Sequence, residues 1–371
     1  MPFPPMALLN WRWLVILAAL AGSAHAGVAD AVNRYRAAAG LPPVKVDRAL
    51  SAGCAKHAEY LKLNRGSAAV AGLEAHKEHM DLPGASPEGA DCGKNADLFV
   101  GVADLDKAVE GFMAGIYHRR PVLDPGLTTI GIGTTKLADG TYVLALRLSA
   151  GTGGKWPIAY PADHQGDVPL EYGNEIPNPV PGGGPAGYPL TLQFPPFDKL
   201  TSVHAKLVDA KGNAVAFHLS DPEHAATSFP QSGIVSLIPK QILAPATTYT
   251  VSVDATWQGK HGTWKWSFTT LALRAVDAAD RKALQAALGA PSLVRGRVTH
   301  GGTIPDAAFL QLGAGEPMVS VIVPLAVWKQ LGASPAAYEG KTVEVQTVPQ
   351  FVGNKFLNLP IVTAKQLRVV K

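Results

Sequence analysis

Apolar residues change their period along this chain, and the changes divide it. Val28, Ala29, Val32 and Tyr35, then Leu50, Cys54, Ala58 and Leu61, recur at three and four. That is the spacing of helices burying one face. Asp104 stands before another apolar run and predicts an N-cap for a third helix over Leu105–Tyr117. Thr129–Gly133 and Thr141–Leu148 then read as strands joined by Asp139-Gly140, a strong hairpin dipeptide. Helices followed by strands predict an α+β or layered α/β/α domain over 28–150. The pattern breaks at 151–187, where Pro177–Pro185 (PNPVPGGGP) excludes a regular helix or central strand. This stretch reads as a linker merging into the ragged start of the next domain. From 188 to 271 the period is two: Leu190-x-Leu192-x-Phe194, Val203-x-Ala205-x-Leu207, Tyr249-x-Val251-x-Val253 and Trp264-x-Trp266-x-Phe268. Recurrent turn residues between such runs predict a β-sandwich. A short helix over Val276–Leu288, ended by Gly289, opens a last region, 274–371. Its strands are expected at Val294–Val298, Ala308–Leu312, Met318–Val323, Thr342–Val348, Lys355–Leu359 and Leu367–Val370, with a helical Leu325–Leu331 among them.

Before all this stands a segment of different character. Arg12, the ten-residue apolar run Trp13–Gly22 and the small-x-small Ala24-His25-Ala26 form a cleavable signal peptide over 1–26. The apolar run is too short to span a bilayer as a helix, although a retained anchor is the alternative. No Cys stands at the cleavage site, the first being Cys54, which argues against a lipoprotein anchor. The expected location is secreted or periplasmic, with no transmembrane segment after signal cleavage. The net charge of +4 is scattered, and no Lys/Arg run exceeds two residues, which argues against a nucleic-acid partner. The two cysteines, Cys54 and Cys92, are expected to form one disulfide in an exported protein. Two separate buried thiols are the alternative, since spacing in sequence does not bring Cα atoms together.

Motifs narrow the first domain. Asn33-Arg34-Tyr35-Arg36, Lys56-His57-Ala58-Glu59, Ala75-His76, Tyr117-His118-Arg119-Arg120 and the strand ending Gly131-Ile132-Gly133 occur in one order. Together they resemble the bacterial branch of the CAP superfamily, the cysteine-rich secretory and pathogenesis-related-1 proteins with an SCP domain. The resemblance covers about a third of the chain and implies an α/β/α sandwich. The segment Leu243–Val251 followed by Trp266-Ser267-Phe268-Thr269-Thr270 resembles bacterial Ig-like domains, and Gly340–Val345 (GKTVEV) resembles a strand of OB-fold barrels. The expected whole is multidomain: a CAP-like α/β/α sandwich, an Ig-like β-sandwich, then an OB-like β-barrel.

The CAP resemblance implies a cleft in which two His and two Glu can hold a divalent cation. His76 and His118 match the histidines and are the candidate metal ligands, for zinc or a similar ion. The acids depart from the pattern. Gly93-Lys94-Asn95 stands for a Gly-Glu-Asn triplet, and Gly115 occupies the place of the second Glu, where bacterial members often carry Ser. His76, Lys94, Asn95 and His118 are therefore expected to line one cleft whose acidic pair is missing. Glu78, Glu88 and Glu110 are possible supporting acids, Glu110 because an unbroken helix would place it within about 80° of His118. His57 reads as a core histidine on the helical period, His79 as a solvated one, and Arg119-Arg120 as an anion clamp or a basic pair complementing a helix end. There is no Gly-x-Ser-x-Gly elbow and no His-Glu-x-x-His helix. Gly182-Gly183-Gly184 is proline-flanked linker and no phosphate cradle. These readings favour a non-catalytic binding protein for a small apolar, lipid-like or peptide ligand, without a cofactor, facing an envelope or extracellular partner. The competing reading is a metal-assisted hydrolase using His76 and His118.

Overall fold

A computed structural model describes residues 26–370 apart from 150, 152, 230 and 354. The signal peptide expected over 1–26 lies, except for its last residue, outside the described residues. The chain divides into two compact units, 26–243 with 247–270, and 244–246 with 271–370.

The first unit opens with a helix over residues 26–38 (α1), a short strand β1 (Lys45–Val46) and the long helix α2 (Arg48–Leu63). Asp47 caps α2 by accepting from the Leu50 amide at 2.9 Å. Then follow α3 (Pro87–Lys94), β2 (Ala96–Val102), α4 (Leu105–Met113), α5 (Arg119–Val122), β3 (Thr129–Lys136) and β4 (Tyr142–Leu148). The strands form one sheet in the order β1-β3-β4-β2. Strand alternation explains its two covered faces. Ile130, Ile132, Leu144 and Leu146 are buried with Val28 and Val32 of α1 and Val109, Phe112 and Met113 of α4. Val143 faces the other way and is buried with Ala58 and Leu61 of α2, while Ala145 meets the two cysteines. The Gly-Ile-Gly of β3 is what lets α2 approach: a Cβ at Gly133 would lie 2.0 Å from the Cys54 carbonyl carbon, and one at Gly131 would lie 2.7 Å from Leu50 Cβ. The hairpin turn requires Gly140, whose φ is +87°. Cys54 and Cys92 form a disulfide between α2 and α3.

Two motif arginines hold the scaffold together. Arg36 is fully buried and donates to the carbonyls of Pro42, Val122, Asp124 and Leu127, fixing α1 to the loop after α5. Arg119, also fully buried, donates to the carbonyls of Met113 and Pro189, and its guanidinium stacks on Tyr160 and Tyr188. It is a structural tie and not half of an anion clamp.

The third helix is shorter than its apolar pattern. Asp104 caps it, accepting from Asp106, but it stops at Met113 and the chain turns through Ala114 and Gly115. Glu110 and His118 therefore share no unbroken helix, and Glu110 instead pairs with Lys107 at 2.7 Å on the surface.

The stretch from 151 contributes more than a linker. β5 (Ile158–Tyr160) and β6 (Gln165–Val168) are edge strands of two four-stranded sheets. Their partners are β7 (Leu190–Gln193), β8 (Leu200–Asp209), β9 (Phe217–Ser220), β10 (Ile234–Pro239), β11 (Thr248–Trp257) and β12 (Lys260–Thr270). The sheets have orders β5-β7-β10-β9 and β6-β12-β11-β8. Leu190, Val235, Val251 and Phe268 bury their side chains in a core continuous with that of the first domain. Residues 170–187 pack Tyr172, Val180 and Ala186 on Ile116.

The second unit corrects two expectations. The helix over Val276–Leu288 is a strand, β13 (Arg274–Asp277), followed by a six-residue helix α6 (Arg281–Ala286) capped by Asp280. Val276 is drawn into parallel pairing with β14 (Ser292–Ile304), a non-local partner invisible to a helical period. The other elements are β15 (Ala307–Leu312), β16 (Met318–Pro324), α7 (Leu325–Trp328), β17 (Thr342–Thr347), β18 (Gln350–Val352), β19 (Phe356–Pro360) and β20 (Leu367–Val370). The sheet runs β18-β19-β16-β15-β14-β17-β20 with β13 beside β14, and among the described residues no ladder joins its ends into a barrel. Among the described residues no helix is long and apolar enough to cross a membrane.

Candidate functional site

A cleft of about 470 Å³ opens where the end of α3, the start of β2, the turn after α4 and two segments of the sandwich region converge. His76, Lys94, Asn95 and His118 all line it. His76 closes a short turn after α2 and its Nδ1 lies 3.0 Å from the Gly93 carbonyl, which only accepts, so the ring proton sits on Nδ1 and Nε2 is the acceptor. Burial lowers the His76 pKa, and the charges of His118 and His57 lower it further against the Gly93 bond. Lys94 and Asn95 are exposed at the rim, and the Asn95 amide donates to the Asp91 carbonyl at 2.9 Å.

His118 is built differently. It stacks on Phe112 with ring centroids 5.5 Å apart, and its Nδ1 lies 2.9 Å from Glu175 Oε2. Burial pulls its pKa down, but the Glu175 bond and the charges of Asp97 and Glu175 outweigh this and raise it overall. Glu175 comes from the segment after the first domain, and its side chain is 2% exposed. Its carboxylate accepts from the backbone amides of Ile116 (2.6 Å), Tyr117 (3.0 Å) and His118 (3.4 Å). Successive amides in a turn form an anion-binding nest, and here a side chain of the same chain fills it. A Cβ at Gly115 would lie 2.4 Å from Glu175 Oε2. A carboxylate 60 residues downstream thus occupies the space that a side chain at 115 would enter.

The cleft has an acid that motif comparison did not point to. Asp97, on β2, is 9% exposed, and its Oδ2 accepts no hydrogen bond. Burial pushes its carboxyl up to about 7, with His118 opposing and Glu175 reinforcing. Burial along β2 does not alternate, and Ala96 and Asp97 are buried side by side, so no strand period marked the acid; Glu175 left no signal except the glycine at 115. The other polar lining residue is Arg120, half-buried, while Tyr117 donates or accepts with Thr227 at 2.7 Å and packs on Phe229.

The three acids expected to help lie elsewhere. Glu78 is fully buried behind the cleft, 2.9 Å from His57 Nδ1 and accepting from the Ser86 amide. The same pair accounts for His57 as a core residue, its Nε2 facing the Ala75 carbonyl. Glu88 is exposed and paired with Lys56 at 3.0 Å, and Glu110 is held by Lys107. His79 is half-exposed near Glu74. Among the described residues no group of three or more His, Cys, Asp or Glu side chains is arranged to hold a metal ion.

Residues 29–147 match the family model described as CAP, the Cysteine-rich secretory protein family. They form a CAP domain, followed by further β-sheet regions. A search of curated proteins finds no match. Among solved structures the chain is similar to CopC from Methylosinus trichosporium OB3b, at 14% identity and TM-score 0.22 over 31% of this chain and 89% of that one. It is also similar to a protein assigned as an aspartyl-tRNA synthetase from Leishmania major Friedlin, at 17% identity and TM-score 0.20 over 27% of this chain and 21% of that one. Neither score is high enough to carry fold or function.

Proposed function

We propose that this CAP protein is a secreted, non-catalytic binding protein whose cleft takes a small apolar, lipid-like or peptide ligand at the bacterial envelope or exterior. The observation that carries this is the wall of the cleft. Leu73, Tyr117, Leu148, Ile176 and Phe229 line it, and Ile176 and Phe229 remain 62% and 41% exposed. Large apolar side chains held open to water beside a cavity mark a surface that a ligand covers. The disulfide suits an oxidising compartment, in line with export. In this reading the two later regions, Ig-like and OB-like by sequence, serve as spacer and docking modules.

Metal-assisted hydrolysis by His76 and His118 is the competing reading. A metal-binding His commonly has its second nitrogen on a carboxylate, and Glu175 holds His118 in that way. Calorimetry and fluorescence separate the two. The expected result is a fluorescence rise from anilinonaphthalene sulfonate that Ile176→Glu abolishes, with no micromolar heat from zinc, calcium or magnesium. Micromolar metal binding that disappears in His118→Ala would reverse the choice.

A further inference from the structure

Four polar groups of the cleft, Lys94, Arg120, Asp97 Oδ2 and His76 Nε2, have no hydrogen-bond or ion-pair partner among the described residues, and their polarities differ. Two are cations. Among the described residues Lys94 and Arg120 form no ion pair and their side chains make no hydrogen bond, although both line the cleft. The one acid whose charge reaches Arg120 is Asp124, which acts at a distance. Two are acceptors. Asp97 is nine-tenths buried with Oδ2 unpartnered, and His76 presents Nε2 because its Nδ1–H is used on the Gly93 carbonyl. Asp97 and Arg120 line the same cavity without pairing to each other, so each keeps its demand: one for an N–H donor, the other for a carboxylate. Leu73, Leu148, Ile176 and Phe229 add an apolar part to the same lining.

We propose that the cleft captures the free C-terminus of a peptide ending in an apolar residue. This rests on the binding reading above and narrows its ligand. The terminal carboxylate takes the Arg120 guanidinium with Lys94 at the rim, a backbone or amide N–H of the ligand satisfies Asp97 Oδ2, and the last side chain lies against Ile176 and Phe229. A peptide terminus carries a carboxylate, an N–H donor and an apolar group within one residue's length, which is the combination left open here. A fatty acid offers the carboxylate and the chain but no donor for Asp97. Capture of a terminal carboxylate by fixed donors is a recurrent mode of peptide recognition.

The test uses the full secreted chain and a fluorescein-labelled hexapeptide ending in two leucines, prepared as the free acid and as the C-terminal amide, with dodecanoate as a third probe. Fluorescence anisotropy should show the free acid binding at least about tenfold more tightly than the amide. Arg120→Gln should bring the two forms to within about twofold of each other, because it removes the partner that only the acid uses. Asp97→Leu should weaken both forms by an equal factor of about ten, because both keep the N–H donor. If Asp97→Leu does not give a native melt, Asp97→Asn is expected to weaken both forms equally by a smaller factor. Equal binding of acid and amide by the native protein, or binding of dodecanoate with neither peptide, overturns the C-terminus assignment and leaves the binding reading in place. A cleft that takes neither peptide nor dodecanoate nor anilinonaphthalene sulfonate overturns both.

Discussion

Replacing Glu175 by Ala tests whether the first domain and the segment that follows it are one structural unit. The carboxylate is almost wholly buried and accepts from three successive backbone amides as well as from His118 Nδ1. Its removal leaves those donors without their acceptor, the cost associated with breaking a buried ion pair, about 3–5 kcal/mol. A neighbouring cleft of about 300 Å³ that Glu175 itself lines can admit water, so the lower end is the better expectation, about 3 kcal/mol. For a cooperative unit of this size that is a fall in Tm of roughly 6–12 °C. Glu175→Gln keeps one acceptor oxygen and sets an NH2 against an N–H, so about half the loss is expected. The effect carries a pH signature. Because the folded-state pKa of His118 is raised, its protonation stabilises the native state fully below the unfolded imidazole value of about 6.5, and this is lost as pH rises through the folded value. The gap between native and Glu175→Ala proteins should therefore be widest near pH 5 and narrow at alkaline pH. Calorimetric melts across pH, with NMR titration of the imidazoles, measure both parts. A variant melting within about 2 °C of the native protein, with His118 titrating as before, would refute the amide nest as a structural latch.

Other perturbations follow from the same geometry. Asp97→Asn should stabilise the protein at pH 8 by on the order of 2–4 kcal/mol and change little at pH 4. A carboxyl raised to about 7 costs stability only where it would ionise in the unfolded chain, above its ordinary range; equal melts at pH 8 would contradict this. Replacing both Cys54 and Cys92 by Ser opens a link between residues 38 apart and should cost about 3–4 kcal/mol in denaturant melts. Glu78→Ala breaks a pair buried on both sides and should cost about 3–5 kcal/mol, while Glu88→Ala, at an exposed pair, should leave the melt unchanged. Lys94→Glu should raise zinc affinity measured by calorimetry more than Lys94→Ala does, since it adds a carboxylate to a cleft that already holds His76, Asp97 and His118.

Local physics was readable wherever neighbours in sequence settle the outcome. The Leu50-Cys54-Ala58-Leu61 period became α2 because its buried face meets β3, and Asp139-Gly140 became the hairpin turn because the position needs a positive φ. Pairing between distant segments was not readable. Val276 fits a helical period as well as a strand, and only β14 beside it decides. The GKTVEV segment does hold a strand, β17, but whether a sheet closes depends on its last edges meeting, which no local pattern encodes. The apolar run after Asp104 predicted a helix reaching Tyr117, yet the amides of residues 116–118 turn instead toward Glu175.

That last difference also explains why the acids of the cleft could not be found by position. Motif comparison asks what stands at a given place in the chain, and there it returned Lys94 and Gly115, a cation and a residue with no side chain. Electrostatics asks only where charge lies in space. A glycine at 115 removes a Cβ that would sit 2.4 Å from a carboxylate oxygen, and the vacated volume beside three free amides is then a site for any anion the chain can bring there. Glu175 is brought by a segment pinned on both sides, by Tyr172, Val180 and Ala186 against Ile116 and by the Tyr172 hydroxyl accepting from the Glu175 amide at 3.0 Å. The cost of burying the carboxylate is offset by four donors. His118 consequently keeps an acidic partner, but on Nδ1 and from behind, so that its other nitrogen faces a cleft carrying cations at the rim and an unpartnered acid within. That arrangement favours recognising a ligand with both a negative and a donating group over coordinating a bare cation.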